Sequence, residues 1–200
     1  MIRKAGILKI LAKSEVSFES GHTLVQSPRI SRAVSLAKRA HRNQSRKFYE
    51  SVVPYHVHPF QVATVLQAIG MPEDVVVAGI CHDILEDTFI TETYLRHIIG
   101  QTSLNLVKEV TNVSRRSDGN RRTRADIDAN HLKKASPYGM TIKLVDICCN
   151  LRSICEGNSG FAKVWVPEKV RLMPYLSKGS PIMLDIAKEM LDIYSSMSRT

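Results

Sequence analysis

The run Cys-His-Asp-Ile-Leu-Glu-Asp-Thr at 81–88 packs one imidazole and three carboxylates into consecutive helical turns. On a helix His82 and Glu86 stand four residues apart, as do Asp83 and Asp87, so all four groups share one broad face. The residues before them, 75–81 (VVVAGIC), are apolar, so the helix enters a core and then turns polar. Three carboxylates that close repel one another, and burying them unpaired is costly. A bound divalent cation removes that cost. A second string sets Asp146 and Asn150 at i, i+4 within the apolar stripe of Ile142, Leu144, Val145, Ile147 and Leu151. A carboxylate in such a stripe needs a partner, either a metal or a neighbouring Arg or Lys. His58 precedes Pro59, which biases its backbone toward extended forms and sets its imidazole at the mouth of a helix. His82-Asp83 alone reads equally well as a cap or a surface pair. The three strings together fit metal-assisted hydrolysis of a phosphate ester or pyrophosphate, with Glu86 and Asp87 as spare carboxylates beside the metal.

Those side chains must be held by helices. Residues 29–42 place Ile30, Ala33, Val34, Ala37 and Ala40 on one side, and Pro59 can open a helix whose apolar stripe ends at Gly70. Pro72-Glu73-Asp74 start one continuous helix through Asp87. Thr91 caps the next and Gly100 ends it; 102–111 follows, then a polar loop over 112–123 and a helix over 124–135. Pro137-Tyr138-Gly139 breaks the chain before a helix over 140–155. EGNSG (156–160) reads as a loop, and helices at 166–177 and 181–196 complete the set. Only 48–57 has strand character, as a short β-hairpin. His22 and His56 read as loop histidines and His97 as a core-edge or surface one. The expectation is an all-α multi-helix globule, a single domain over 1–200, with a terminal arm over 1–28 and the metal between the helices of 74–87 and 140–155.

Composition sets the partners. The chain has 200 residues, 44% hydrophobic and 24% charged, which is ordinary for a soluble domain. No apolar run approaches the ~20 residues that span a bilayer, so no membrane partner is expected. The N-terminal MIRKAGILKILAK resembles a signal peptide, but Lys9 interrupts its apolar stretch. A net charge of +9 calls for an anionic partner. A multiply phosphorylated nucleotide is the first choice. Nucleic acid is a minor alternative, because the basic runs 38–47 and 115–134 are not interleaved with aromatics, which make up 6% of the chain. Cys81, Cys148, Cys149 and Cys155 lack the paired spacing of a structural zinc site and read as reduced thiols of a cytoplasmic protein. A homodimer is left open.

The strings also resemble a known family. Residues 40–47 (AHRNQSRK), 54–63 (PYHVHPFQVA), 82–88 (HDILEDT) and 143–150 (KLVDICCN) are similar, over about 31–155, to the HD-domain hydrolases of the Rel/Spo type, which remove the 3′-pyrophosphate from ppGpp and pppGpp. The resemblance implies one Mn²⁺ or similar divalent ion on His58, His82, Asp83 and Asp146. It implies that Glu86 and Asp87 orient and deprotonate water, and that Arg46 and Lys47 contact the guanine and a nearby phosphate. Asn150 and Ser153 would hold the ribose or purine side, and some of Arg121, Arg122 and Arg124 the pyrophosphate. Two departures stand out. FYESVVP (48–54) replaces a shorter Gly-containing turn, and Cys149 replaces a frequent His. With no synthetase region in its 200 residues, the chain resembles a small stand-alone hydrolase. The alternatives are another nucleotide substrate, such as NADPH or a nucleoside phosphate, and a non-catalytic nucleotide-binding module.

Overall fold

The computed structural model describes residues 2–13, 15–19, 21, 24, 27–48, 51–157 and 159–197. The backbone divides into two compact units, Met1–Lys108 and Glu109–Thr200. The all-α expectation holds. Among the described residues the strands are one antiparallel hairpin, β1 (Ser45–Phe48) and β2 (Ser51–Pro54), three residues earlier than expected.

The first unit holds α1 (Lys4–Leu11), a 3₁₀ turn at Glu15–Phe18, α2 (Pro28–Ala40), the hairpin, α3 (Val57–Ala68), α4 (Glu73–Cys81), α5 (Ile84–Asp87) and α6 (Glu92–Ile99). Ser27 starts α2 by accepting from Ile30 N–H, with Pro28 at the first helical position. Thr91 caps α6 in the same way, and Gly100 ends it at φ 82°, a conformation open to glycine. The core lies where α3 packs on α4. Phe60, Val62, Ala63, Val65 and Leu66 of α3 and Val75, Val77, Ala78 and Ile80 of α4 are all buried. Gly79 permits the approach, since a Cβ there would collide with Leu66. Arg29 ties the other ends together, donating to Asp74, to Ile99 O (2.9 Å) and to Ser103 (3.1 Å).

Two expectations fail here. His58 is the second residue of α3 rather than a residue ahead of it, because the helix starts at Val57. Pro59 still fits the first turn, where its missing N–H would have had no helical acceptor. The expected continuous helix over 74–87 is interrupted. α4 stops at Cys81, Asp83 sits at φ −94°, ψ −4°, and α5 is a single turn. The His82 ring explains the stop: its Nδ1 lies 2.8 Å from Gly79 O, the carbonyl a continuing helix would offer to Asp83 N–H.

α7 (Gln101–Val110) runs across the unit boundary. The second unit holds α8 (Arg121–Leu132), α9 (Pro137–Gly157), α10 (Ser159–Leu172), a 3₁₀ turn at Met173–Leu176 and α11 (Pro181–Met197). α9 packs on α10 and α11 through buried residues including Ile142, Val145, Trp165, Met183 and Ile186. α8 begins three residues earlier than expected because Asn120 accepts from Thr123 N–H at 3.0 Å. Pro137 opens α9 instead of breaking the chain. Ser136 caps it through Gly139 N–H (3.1 Å), and Glu109 in turn accepts from the Ser136 hydroxyl (2.6 Å). α10 covers 159–165, expected to be loop and lead-in, and carries Pro167 in its interior. The buried Trp165 and Val166 and the Glu168 ion pair hold that helix on either side of the proline.

Candidate metal centre

In the first unit His58 on α3, His82 after α4 and Asp83 before α5 offer one ligand atom each, all within 4.8 Å of one another. His82 Nε2 is 3.1 Å from Asp83 Oδ1, and His58 Nε2 is 4.0 Å from Asp83 Oδ2. The two rings meet edge to face at 5.3 Å. The contact of His82 Nδ1 with a carbonyl fixes the tautomer, since a carbonyl only accepts. Nδ1 is therefore a donor, and Nε2 is the nitrogen that faces Asp83. Two buried imidazoles around a part-buried carboxylate, one of them oriented by a carbonyl, form a donor set suited to a divalent ion. Tyr55 Oη donates to Asp83 Oδ2 at 2.8 Å and holds the carboxylate in place.

Glu86 and Asp87 follow on α5, both exposed. The Asp87 carboxyl is nevertheless raised above the ordinary range, with desolvation the largest cause and the charge of Asp83 next. A raised carboxyl near a metal is suited to accept a proton from water.

Arg46 and Lys47 are neighbours on β1 and so point to opposite faces. Arg46 pairs with the buried Val53 and shares the inner face, whereas Lys47 pairs with Val52, which is exposed. Of the two, Arg46 is the one turned toward packed structure.

Asp146, Asn150 and Ser153 lie on α9 in the second unit. Asp146 is buried; its Oδ1 accepts from Asn150 Nδ2 at 2.6 Å and its Oδ2 pairs with Lys143 Nζ at 3.0 Å. Its lysine partner is thus one of the two kinds the sequence allowed. Ser153 is buried, and its hydroxyl donates to Asn150 O at 3.1 Å. The three arginines expected near phosphate have protein partners. Arg121 makes two bonds to Glu168, at 2.7 and 2.8 Å. Arg122 donates to Asp126 at 3.3 Å and Arg124 to Gly119 O at 2.8 Å.

Two groups escaped the sequence reading. His41 is wholly buried at the end of α2; it extends the apolar stripe of Ile30, Ala33 and Ala37 by one turn, a signal that was available. Lys169 on α10 lies half-buried beside Trp165, its Nζ 5.2 Å from the ring centre, and within reach of the charges of Lys143, Asp146 and Glu168. Only the fold of α10, hidden behind Pro167, brings it there. Burial first and Lys143 second push its ammonium down to about 8. A lysine depressed from 10.5 binds fewer protons folded than unfolded across that window. Its contribution to stability therefore rises as pH climbs from about 8 to 10.5 and is lost as pH falls through 8. Lys169→Met should flatten the difference between denaturation midpoints measured at those two pH values.

Comparison with known proteins gives this geometry a context. Residues 33–165 match the model of the HD domain. A guanosine-3′,5′-bis(diphosphate) 3′-pyrophosphohydrolase of Aquifex aeolicus is 35% identical over 107 residues, covering 50% of this chain and 15% of that protein. A GTP pyrophosphokinase of Streptomyces coelicolor is 33% identical over 149 residues, covering 74% and 17%. The chain thus spans less than a fifth of the length of either relative. Among solved structures, a metazoan ortholog of SpoT, described as hydrolysing ppGpp, shares the fold with a TM-score of 0.74 at 23% identity, covering 84% of this chain and 97% of that one. With more than half of its residues matched, and with paired histidines and an aspartate gathered inside the matched span, the chain belongs to the HD-domain family.

Proposed function

We propose that this chain is a Mn²⁺-dependent hydrolase that removes the 3′-pyrophosphate of ppGpp and pppGpp, giving GDP or GTP and pyrophosphate. The observation that carries the reading is the convergence of His58, His82 and Asp83 ligand atoms within 4.8 Å, one helical turn ahead of Glu86 and Asp87. The substrate assignment is supported by the name of the Aquifex aeolicus relative. Asp146 completes the ligand set; that role rests on its motif, KLVDICCN, and not on a distance.

A divalent ion held there supplies a Lewis acid for a phosphoryl oxygen and lowers the pKa of a bound water. His82 contributes Nε2 because Gly79 O occupies Nδ1, and Tyr55 fixes the Asp83 carboxylate. Glu86 takes the proton of the attacking water, with Asp87, its carboxyl already raised, positioned to share it. Arg46 binds the guanine and Lys47 a neighbouring phosphate, while Asn150 and Ser153 hold the ribose or purine side. Some of Arg121, Arg122 and Arg124 bind the pyrophosphate, which requires them to exchange their present partners Glu168, Asp126 and Gly119 O.

A substrate panel with Mn²⁺ tests the assignment. ppGpp should yield GDP and intact pyrophosphate, with kcat/KM at least about tenfold above that for NADPH, GDP or GTP, a difference of about 1.4 kcal/mol in transition-state binding. Orthophosphate as the primary product, or a preference for another nucleotide, would contradict the substrate while retaining metal-assisted hydrolysis.

A further inference from the structure

α5 carries both proposed acid–base groups, yet it is one turn long. A single turn has no cooperative stability of its own, and its terminal carbonyls lack helical partners. Something outside α5 must fix it. The Gln44 amide, between α2 and β1, donates from Nε2 to the backbone carbonyl of Asp87 at 2.6 Å. Since that end of the amide must be the donor, its Oε1 faces the other way, toward His41 Nδ1 at 2.6 Å. An amide oxygen only accepts, so His41 carries its proton on Nδ1.

The face of the same ring backs Tyr55, with centroids 4.9 Å apart and planes tilted by 36°. Tyr55 in turn donates its hydroxyl proton to Asp83 Oδ2 at 2.8 Å. One buried imidazole therefore backs both the Asp87 carbonyl, through Gln44, and the Asp83 carboxylate, through Tyr55. Its Nε2, buried with no hydrogen-bond partner among the described residues, shows what this arrangement costs. An apolar side chain would fill the end of α2 without that orphan atom but would supply neither the Nδ1–H nor the ring face.

We propose that His41 is a positioning residue that holds the Asp87 turn through Gln44 and the Asp83 carboxylate through Tyr55. This rests on the hydrolase reading for its consequence in turnover, but the strut itself is measurable without it. Gln44→Leu removes the link at a half-buried position, and His41→Leu removes it at its source. His41→Asn restores an N–H near the Nδ1 position. Both Leu variants should lower kcat on ppGpp about 10- to 100-fold, with KM changed less than about threefold and bound metal unchanged. His41→Asn should recover part of the loss. The double Leu variant should be no worse than the poorer single one, because both cut the same link.

Hydrogen–deuterium exchange on the whole metal-loaded protein is the second readout. The segment 82–90 should exchange several-fold faster in Gln44→Leu, with α9 unchanged. Unaltered exchange in that segment overturns the strut, whatever the activity. Losses that multiply in the double variant, or that fall on KM, overturn it as well. If the wild-type protein turns over no nucleotide, the hydrolase reading fails while faster exchange still supports the strut. If His41→Leu does not fold, Gln44→Leu carries the test alone.

Discussion

Asp83→Ala should strip the metal and abolish turnover together. Asp83 stands nearest both imidazoles, with oxygens 3.1 Å from His82 Nε2 and 4.0 Å from His58 Nε2, and it is the acceptor of the Tyr55 hydroxyl. Removing even an outer-shell partner of a metal ligand typically costs about 10- to 100-fold in affinity or activity. Loss of a ligand should exceed that, so purified Asp83→Ala should retain under about one hundredth of the wild-type metal by elemental analysis at equal free Mn²⁺. Activity should fall below detection in parallel. The fold should survive, because the variant relieves the repulsion that Asp83 exerts on Asp87. Full metal content with no activity would move Asp83 from ligand to some other role.

Glu86→Gln should separate what Asp83→Ala joins. The amide keeps the size and shape of the side chain and removes its capacity to accept a proton. Glu86 is exposed on α5 and is not one of the three residues whose ligand atoms gather within 4.8 Å, so metal content should stay at the wild-type level. General acid–base catalysis is worth about 10²- to 10⁴-fold, and kcat should drop within that range with KM little changed. Asp87→Asn run beside it assigns the remaining share. A fully active Glu86→Gln would place the base elsewhere, with Asp87 first in line.

What could be read without coordinates was the inventory, and much of the helical frame. Thr91 and Gly100 bracket α6 as caps do, and the apolar period of 59–69 marks α3. The gathering of His58, His82 and Asp83 follows the reading of their residue types. What escaped was set by side chains acting on backbone. Periodicity runs unbroken from Val75 to Asp87, and only the His82 ring, taking Gly79 O, reveals that α4 must stop. Pro167 and the EGNSG string argue for a loop where tertiary contacts impose α10, which is why Lys169 went unseen. His41 lay inside a quoted motif but had no assigned role, because its use depends on a glutamine amide and a tyrosine ring that spacing cannot orient.

The central claim is that a metal on His58, His82 and Asp83 drives hydrolysis of a 3′-pyrophosphate. The most direct test strips the wild-type protein with a chelator, removes the chelator, and titrates Mn²⁺ back while following GDP and pyrophosphate from ppGpp. The prediction is no turnover in the stripped protein, and product formation that rises with bound Mn²⁺ and levels off when the site is full. Turnover that persists in metal-free protein, or stays absent at full Mn²⁺ occupancy, would contradict it.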